Sequence, residues 1–179
     1  MNNESTANEV FIKCIDDLVP EELHKDLWKA TRSKNWYFGA FSNQSNSIPF
    51  WNMDLDNVPA ADAVWQHAKA QCEGLIGAPL EVLRQYANGH TFGQGGRPHT
   101  DDDAAGTYTL IYYPMPRWHK DWDGGTEFHN GEGEIITAVQ LKPNRAVLFD
   151  ARVLHYGRAP SRMFTGLRVT VAYKLKIAD

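Results

Sequence analysis

The sequence predicts a mainly β chain of the α+β class, with helices packed on one outer face of a layered body of strands. Helical spacing of apolar residues is confined to the N-terminal part of the chain. Short β-branched and aromatic runs, punctuated by Gly, Pro and Asp, fill the rest. The absence of internal repeats removes propellers and solenoids, so strands at this spacing leave a sandwich, a barrel or a double-sheet jelly roll. Helices first and strands after suit helices laid on one side of such a body.

The elements follow in order. "VFIKCID" predicts a first strand, and "LVPEELHKDLWKATRSK" a first helix, with Pro20 and two Glu at its start and Leu23, Leu27 and the Trp28/Ala30/Thr31 edge at helical spacing. "WYFGAF" reads as a short strand running into a polar, aromatic-tipped loop. A second helix is predicted over 59–77, where Ala61, Val64, Trp65, Ala68, Cys72, Leu75 and Ile76 recur at three and four and Gly77 ends the pattern. From Leu80 the helical period vanishes, and "LEVLRQYA", "TYTLIYYP", "GGTEFHN", "EIITAVQL", "RAVLFDA" and "GLRVTVAYKLK" predict strands.

With 179 residues and no low-complexity linker, the chain fits a single domain, with a β core over about 80–176 and helical support over about 10–79. With a net charge of −4, nothing in the overall balance points to a protein that gathers nucleic acid or anionic lipid by its field, which leaves only a local basic cleft for such a role. Cys14 and Cys72 both fall in apolar-periodic segments, where each is expected as a small buried hydrophobe rather than half of a disulfide. The polar start and the lack of a long apolar run predict a soluble, cytoplasmic protein with a frayed N-terminus and no membrane partner.

The chemistry concentrates in "RPHTDDD". In an extended segment, residues two apart face the same way, so His99 and Asp101 can present an imidazole nitrogen and a carboxylate oxygen to one point. His155, just after the apolar run "AVLFD", is the natural third donor. Two His and one carboxylate with open positions make the facial triad of non-haem Fe(II) oxygenases. Further on, Arg168 stands inside a strongly apolar strand with Thr170 on the same face. A guanidinium there needs an anion, either a protein carboxylate or the distal carboxylate of a bound organic acid. His90, His119 and His129 are the other candidate ligands, and His129 beside Glu127 suits a cupin-type site, but His99 with Asp101 matches strand spacing better.

"RPHTDDD", "TLIYYP", "GGTEF", "LKPNRAVLFDARVLHYGRAP" and "LRVTVAYKL" together resemble the 2-oxoglutarate and Fe(II)-dependent dioxygenases, most closely their prolyl-hydroxylase branch. The resemblance implies a double-stranded β-helix and iron ligands at His99, Asp101 and His155. It implies a 2-oxoglutarate anchor at Arg168, with Tyr113, Thr170 and Tyr86 as further co-substrate contacts. Arg158 and Arg162 compete for the anchor, because the segment between His155 and Arg168 is longer than is usual in the family. The cofactors implied are Fe(II), 2-oxoglutarate, O₂ and ascorbate. The reaction implied is prolyl 4-hydroxylase-like hydroxylation of a proline-containing peptide or protein, coupled to decarboxylation of 2-oxoglutarate to succinate and CO₂.

The same chemistry on a free amino acid, a nucleobase or another small molecule is the alternative, and a non-catalytic jelly-roll or cupin-like binding module is the alternative of another class. Ligating histidines must be neutral, so iron binding should weaken as pH falls through roughly 6.5. Two aromatic segments, 41–52 and 114–125, are expected either to grip substrate or to be pinned to the body by Trp51, Trp118 and Trp122.

Overall fold

In the computed structural model, which describes residues 10–41 and 48–178, ten strands form two facing antiparallel sheets with two α-helices on the outside. The strands are β1 (Ile12–Ile15), β2 (Tyr37–Ala40), β3 (Phe50–Asp54), β4 (Leu80–His90), β5 (Thr107–Tyr112), β6 (Thr126–His129), β7 (Ile135–Val139), β8 (Ala146–Asp150), β9 (Leu154–Gly157) and β10 (Arg168–Ile177). The large sheet runs β1-β8-β5-β10-β4-β3-β2 and the small one β7-β6-β9. A single bridge between His99 and His155 continues the small sheet beyond β9. This is the jelly-roll arrangement.

Both helices form where the apolar period places them. Helix α1 (Glu21–Ala30) starts after Pro20, with Glu21 and Glu22 in its first turn and Lys29 in its last, charges that suit the helix dipole. Helix α2 (Pro59–Ile76) has Pro at its first turn and ends at Gly77, whose φ of 81° is left-handed and costs glycine nothing. It lies on the outer face of the large sheet, where Trp65 stacks on Tyr173 at 6.1 Å and the Tyr173 hydroxyl donates to the Ala61 carbonyl at 3.0 Å.

The alternation along β10 divides labour between the two faces of this sheet. Val169, Val171, Tyr173 and Leu175 are buried in the core, and a fully buried side chain such as Val171 or Leu175 contributes about 1.5–3 kcal/mol. Arg168, Thr170, Ala172 and Lys174 point the other way, into a cavity between the sheets. The same period on β4 sends Arg84, Tyr86, Asn88 and His90 into that cavity.

Three expectations need correction. The first part of the chain is more than helical support, because β1, β2 and β3 all join the large sheet. The expected loop 41–52 ends in strand β3, which pairs with β4 from Trp51 to Asp54; residues 42–47 lie outside the described residues. Cys72 is buried but Cys14 is exposed, since it sits on the edge strand β1. Among the described residues no helix is long and apolar enough to cross a membrane.

Candidate metal centre and its cavity

Cross-strand register lays the cavity floor in rows. Asn52, Asn88 and Thr170 form one row across β3, β4 and β10, with Asp54, Tyr86 and Ala172 in the next. Arg84, Lys174 and Thr109 follow, with Arg168 and His90 at the opposite end. The opposite wall brings Thr126, His155 and Gly157 from the small sheet, and the enclosed space is about 300 Å³.

His99, Asp101 and His155 converge on this cavity, each offering a ligand atom within 4.8 Å of the others. His99 Nε2 stands 3.5 Å from Asp101 Oδ1, and His155 Nε2 stands 3.4 Å from Asp101 Oδ2. The backbone creates this convergence. His99 and His155 exchange two amide hydrogen bonds of 3.0 Å, and the Asp101 amide donates to the Ala151 carbonyl at 2.8 Å.

The ring tautomers follow from the remaining partners. Nδ1 of His99 faces the Arg97 carbonyl at 2.8 Å, and Nδ1 of His155 faces the Val153 carbonyl at 2.9 Å. A carbonyl only accepts, so each Nδ1 carries the proton and each Nε2 keeps a free lone pair toward the centre. Burial pushes the His155 imidazole down to about 4, against the opposing pull of Asp101, so it is neutral at physiological pH. Burial works against the Asp101 charge, yet the Lys174 ammonium, paired with it and hydrogen-bonded to it, holds its carboxyl well below the usual range. Two neutral imidazoles and one carboxylate are a donor set that fits a divalent transition metal with open positions.

Arg168 is 1 % exposed. Its Nε donates to the Gly124 carbonyl at 2.6 Å, one terminal nitrogen to the Gly125 carbonyl at 3.5 Å, and the other to His90 Nδ1 at 3.3 Å. Among the described residues no carboxylate lies within ion-pair distance of it. Burial pushes its pKa down to about 10. A guanidinium that is charged, buried and met only by neutral acceptors has the chemistry to receive an anion.

The rival arginines are placed elsewhere. Arg158 pairs with Asp123 and Glu127, and Arg162 is exposed. Thr170 and Tyr86 line the cavity, as their strand positions predict. Tyr113 follows the end of β5, fully buried, with its hydroxyl 2.8 Å from the Thr126 hydroxyl, so it meets the cavity through Thr126.

Of the other histidines, His90 supports Arg168, while His129 lies 3.7 Å from Glu127 and outside the triad. His119 is exposed and caps the short helical turn Lys120–Trp122. None of residues 114–125 lines the cavity. Trp118 packs on Trp122 at 5.3 Å and on Phe164 at 4.6 Å, which pins this segment to the body. Lys174, Asn88 and Arg84 were not singled out from the sequence, although the alternation that points Arg168 and Thr170 inward also points Lys174 inward.

No protein-family model and no curated protein sequence matches the chain. Solved structures do. A Pseudomonas putida prolyl-4-hydroxylase superposes with a TM-score of 0.68 at 15 % identity, covering 96 % of this chain and 95 % of that one. The non-haem α-ketoglutarate-dependent carbocyclase SnoK from nogalamycin biosynthesis gives 0.75 at 12 % identity, covering 96 % and 81 %. The fold is that of the 2-oxoglutarate-dependent non-haem dioxygenases. HygX from Streptomyces hygroscopicus, whose structure holds nickel, 2-oxoglutarate and hygromycin B, gives 0.67 at 10 % identity, covering 94 % and 84 %. These neighbours thus range from a prolyl-4-hydroxylase to a carbocyclase and a protein whose structure holds hygromycin B.

Proposed function

We propose that the chain is an Fe(II)- and 2-oxoglutarate-dependent dioxygenase, with His99 Nε2, Asp101 and His155 Nε2 as the metal ligands. The observation that carries this reading is the placement of Arg168, a buried cation without a carboxylate partner among the described residues, in the same cavity as the triad. A metal held by only these three side chains would keep positions for a chelating 2-oxo acid and O₂. The metal, when bound, supplies the O₂ activation that couples decarboxylation of 2-oxoglutarate to hydroxylation of a substrate C–H bond.

The chain's own side chains position and shield. Arg168 binds the far carboxylate of 2-oxoglutarate by charge-assisted hydrogen bonds, with the Thr170 hydroxyl beside it and Tyr113 acting through Thr126. Tyr86 borders the co-substrate on the β4 side. The neutral His90 accepts a hydrogen bond from Arg168 and keeps the fork aimed without competing for its charge. Enclosure of the cavity strengthens each of these contacts by excluding water.

Substrate enters past Tyr37, Phe41, Arg84 and Asp54, which line the outer part of the cavity. A prolyl residue in an extended peptide fits the exposed aromatic rim of Tyr37 and Phe41 and the likeness to the prolyl-4-hydroxylase. A small-molecule substrate is the second reading, favoured by the packing of Trp118 and Trp122 away from the cavity, which leaves the peptide no groove there. Incubating the Fe(II)-loaded protein with 2-oxoglutarate and matched panels of proline-containing peptides and small molecules, read by mass for the gain of one oxygen atom, separates the two. Oxygenation confined to small molecules would remove the prolyl reading.

A further inference from the structure

Lys174 stands where the rest of the site gives it no obvious task. It lies on the cavity face of β10, three rows from Arg168, with a side chain only 17 % exposed. Its ammonium forms an ion pair with Asp101 Oδ2 and donates to the Thr109 hydroxyl at 3.2 Å. That hydroxyl in turn donates to the same Oδ2 at 2.7 Å. Lys174, Thr109 and Asp101 therefore close a triangle in which one carboxylate oxygen takes both hydrogen bonds; that oxygen, Oδ2, stands 3.4 Å from His155 Nε2, while Oδ1, outside the triangle, faces His99 Nε2 at 3.5 Å.

Resting on the metal-centre reading above, we propose that Lys174 is a positioning residue that makes Asp101 a one-oxygen ligand. An acceptor occupied by an ammonium and a hydroxyl has spent its lone pairs and cannot also close onto a metal, so Oδ1 alone remains. The coordination position that a two-oxygen aspartate would take is thereby kept for 2-oxoglutarate. Charge adds to geometry. Paired with Lys174, Asp101 is nearly neutral toward an arriving cation, so the metal is held less tightly but keeps more of its charge for the dianionic co-substrate.

This role makes a prediction of opposite signs. In Lys174→Met the released carboxylate can close on the ion with both oxygens and no ammonium repels it, so Co(II) affinity rises by about tenfold or more, while 2-oxoglutarate affinity for the Co(II)-loaded protein falls by about tenfold. The Co(II) absorption spectrum shifts toward higher coordination before 2-oxoglutarate is added. Metal-free Lys174→Met is less stable than the wild type because a buried carboxylate has lost its partner, and Co(II) raises its melting temperature more than it raises the wild type's.

A lysine that merely stabilises the fold predicts something else. Co(II) and 2-oxoglutarate affinities would then fall together with stability, with an unchanged Co(II) spectrum, and that result overturns the inference. If Lys174→Met does not fold, Thr109→Val carries the same test, since it removes one corner of the triangle while leaving the Lys174–Asp101 pair, and moves both constants in the same two directions by smaller factors. Failure of the wild-type protein to bind Co(II) at all would instead strike the metal-centre reading itself.

Discussion

Replacing Arg168 by Met tests whether the cavity is built around a ligand carboxylate. Burial pushes the guanidinium pKa from its usual very basic range down to about 10, which corresponds to about 3 kcal/mol working against the charge in the unliganded protein. The substitution removes that cost but also removes contacts to the Gly124 and Gly125 carbonyls and to His90, each worth about 1 kcal/mol. The two nearly cancel, so the unliganded melting temperature should stay within about 4 °C of wild type. Ligand binding should not survive so well. A charge-assisted contact is worth about 1.5–3 kcal/mol, so 2-oxoglutarate affinity for the Co(II)-loaded protein should fall about ten- to a hundredfold, with Co(II) affinity unchanged. Titration calorimetry and thermal unfolding, each with and without 2-oxoglutarate, read both numbers. A large loss of unliganded stability with unchanged 2-oxoglutarate affinity would make Arg168 a structural cation and refute the reasoning.

Three further outcomes follow from the same geometry. Burial, with the Arg168 charge second, pushes the His90 imidazole from 6.5 down to about 3, so between these values the unfolded chain takes up a proton that the folded chain refuses. Stability from this group is full above about pH 6.5 and is lost on acidification, and His90→Gln should flatten the acid limb of denaturant-measured stability by about 1.4 kcal/mol per pH unit; equal slopes would contradict the assignment. In Gly124→Ala the new Cβ would lie 3.2 Å from Arg168 Cδ and Nε at a φ of 80°, so the arginine shifts and 2-oxoglutarate affinity drops about tenfold while Co(II) binding holds, which calorimetry checks. Trp118→Ala should cost about 2–4 kcal/mol of stability, because the ring packs on Trp122 and Phe164, and should leave succinate formation per folded molecule unchanged. A selective loss of peptide oxygenation in that variant would return the 114–125 segment to substrate binding.

Patterns of short range were readable in the sequence, whereas the contacts that complete the site depend on register. The His99–Asp101 spacing and the position of Arg168 on an apolar strand are strand-period features, and the structure brings both into one cavity. Lys174 shares that period, but near the end of a strand it reads as a solvated lysine until β10 is registered against β5 and Asp101 is folded over the edge. Strand β3 has no clean hydrophobic alternation of its own, since its cavity-facing positions Phe50, Asn52 and Asp54 mix apolar and polar side chains, and its pairing with β4 makes it a strand. The tryptophans of 114–125 pack on Phe164, a residue distant in sequence, so nothing local announced that the segment is pinned. Exposure of Cys14 follows from β1 lying at a sheet edge, which composition does not reveal.

The most direct test of the account is succinate formation from 2-oxoglutarate by the purified protein with Fe(II) and O₂, beside the His155→Ala variant. His155 supplies a neutral Nε2 to the centre, and its backbone is held by reciprocal amide hydrogen bonds with His99 that the substitution leaves in place. The account predicts succinate from the wild type even without a primary substrate, and none above background from a folded His155→Ala protein. Equal succinate from the two, or none from an Fe(II)-loaded wild type under any substrate panel, would contradict the assignment of His99, Asp101 and His155 as the oxygen-activating centre.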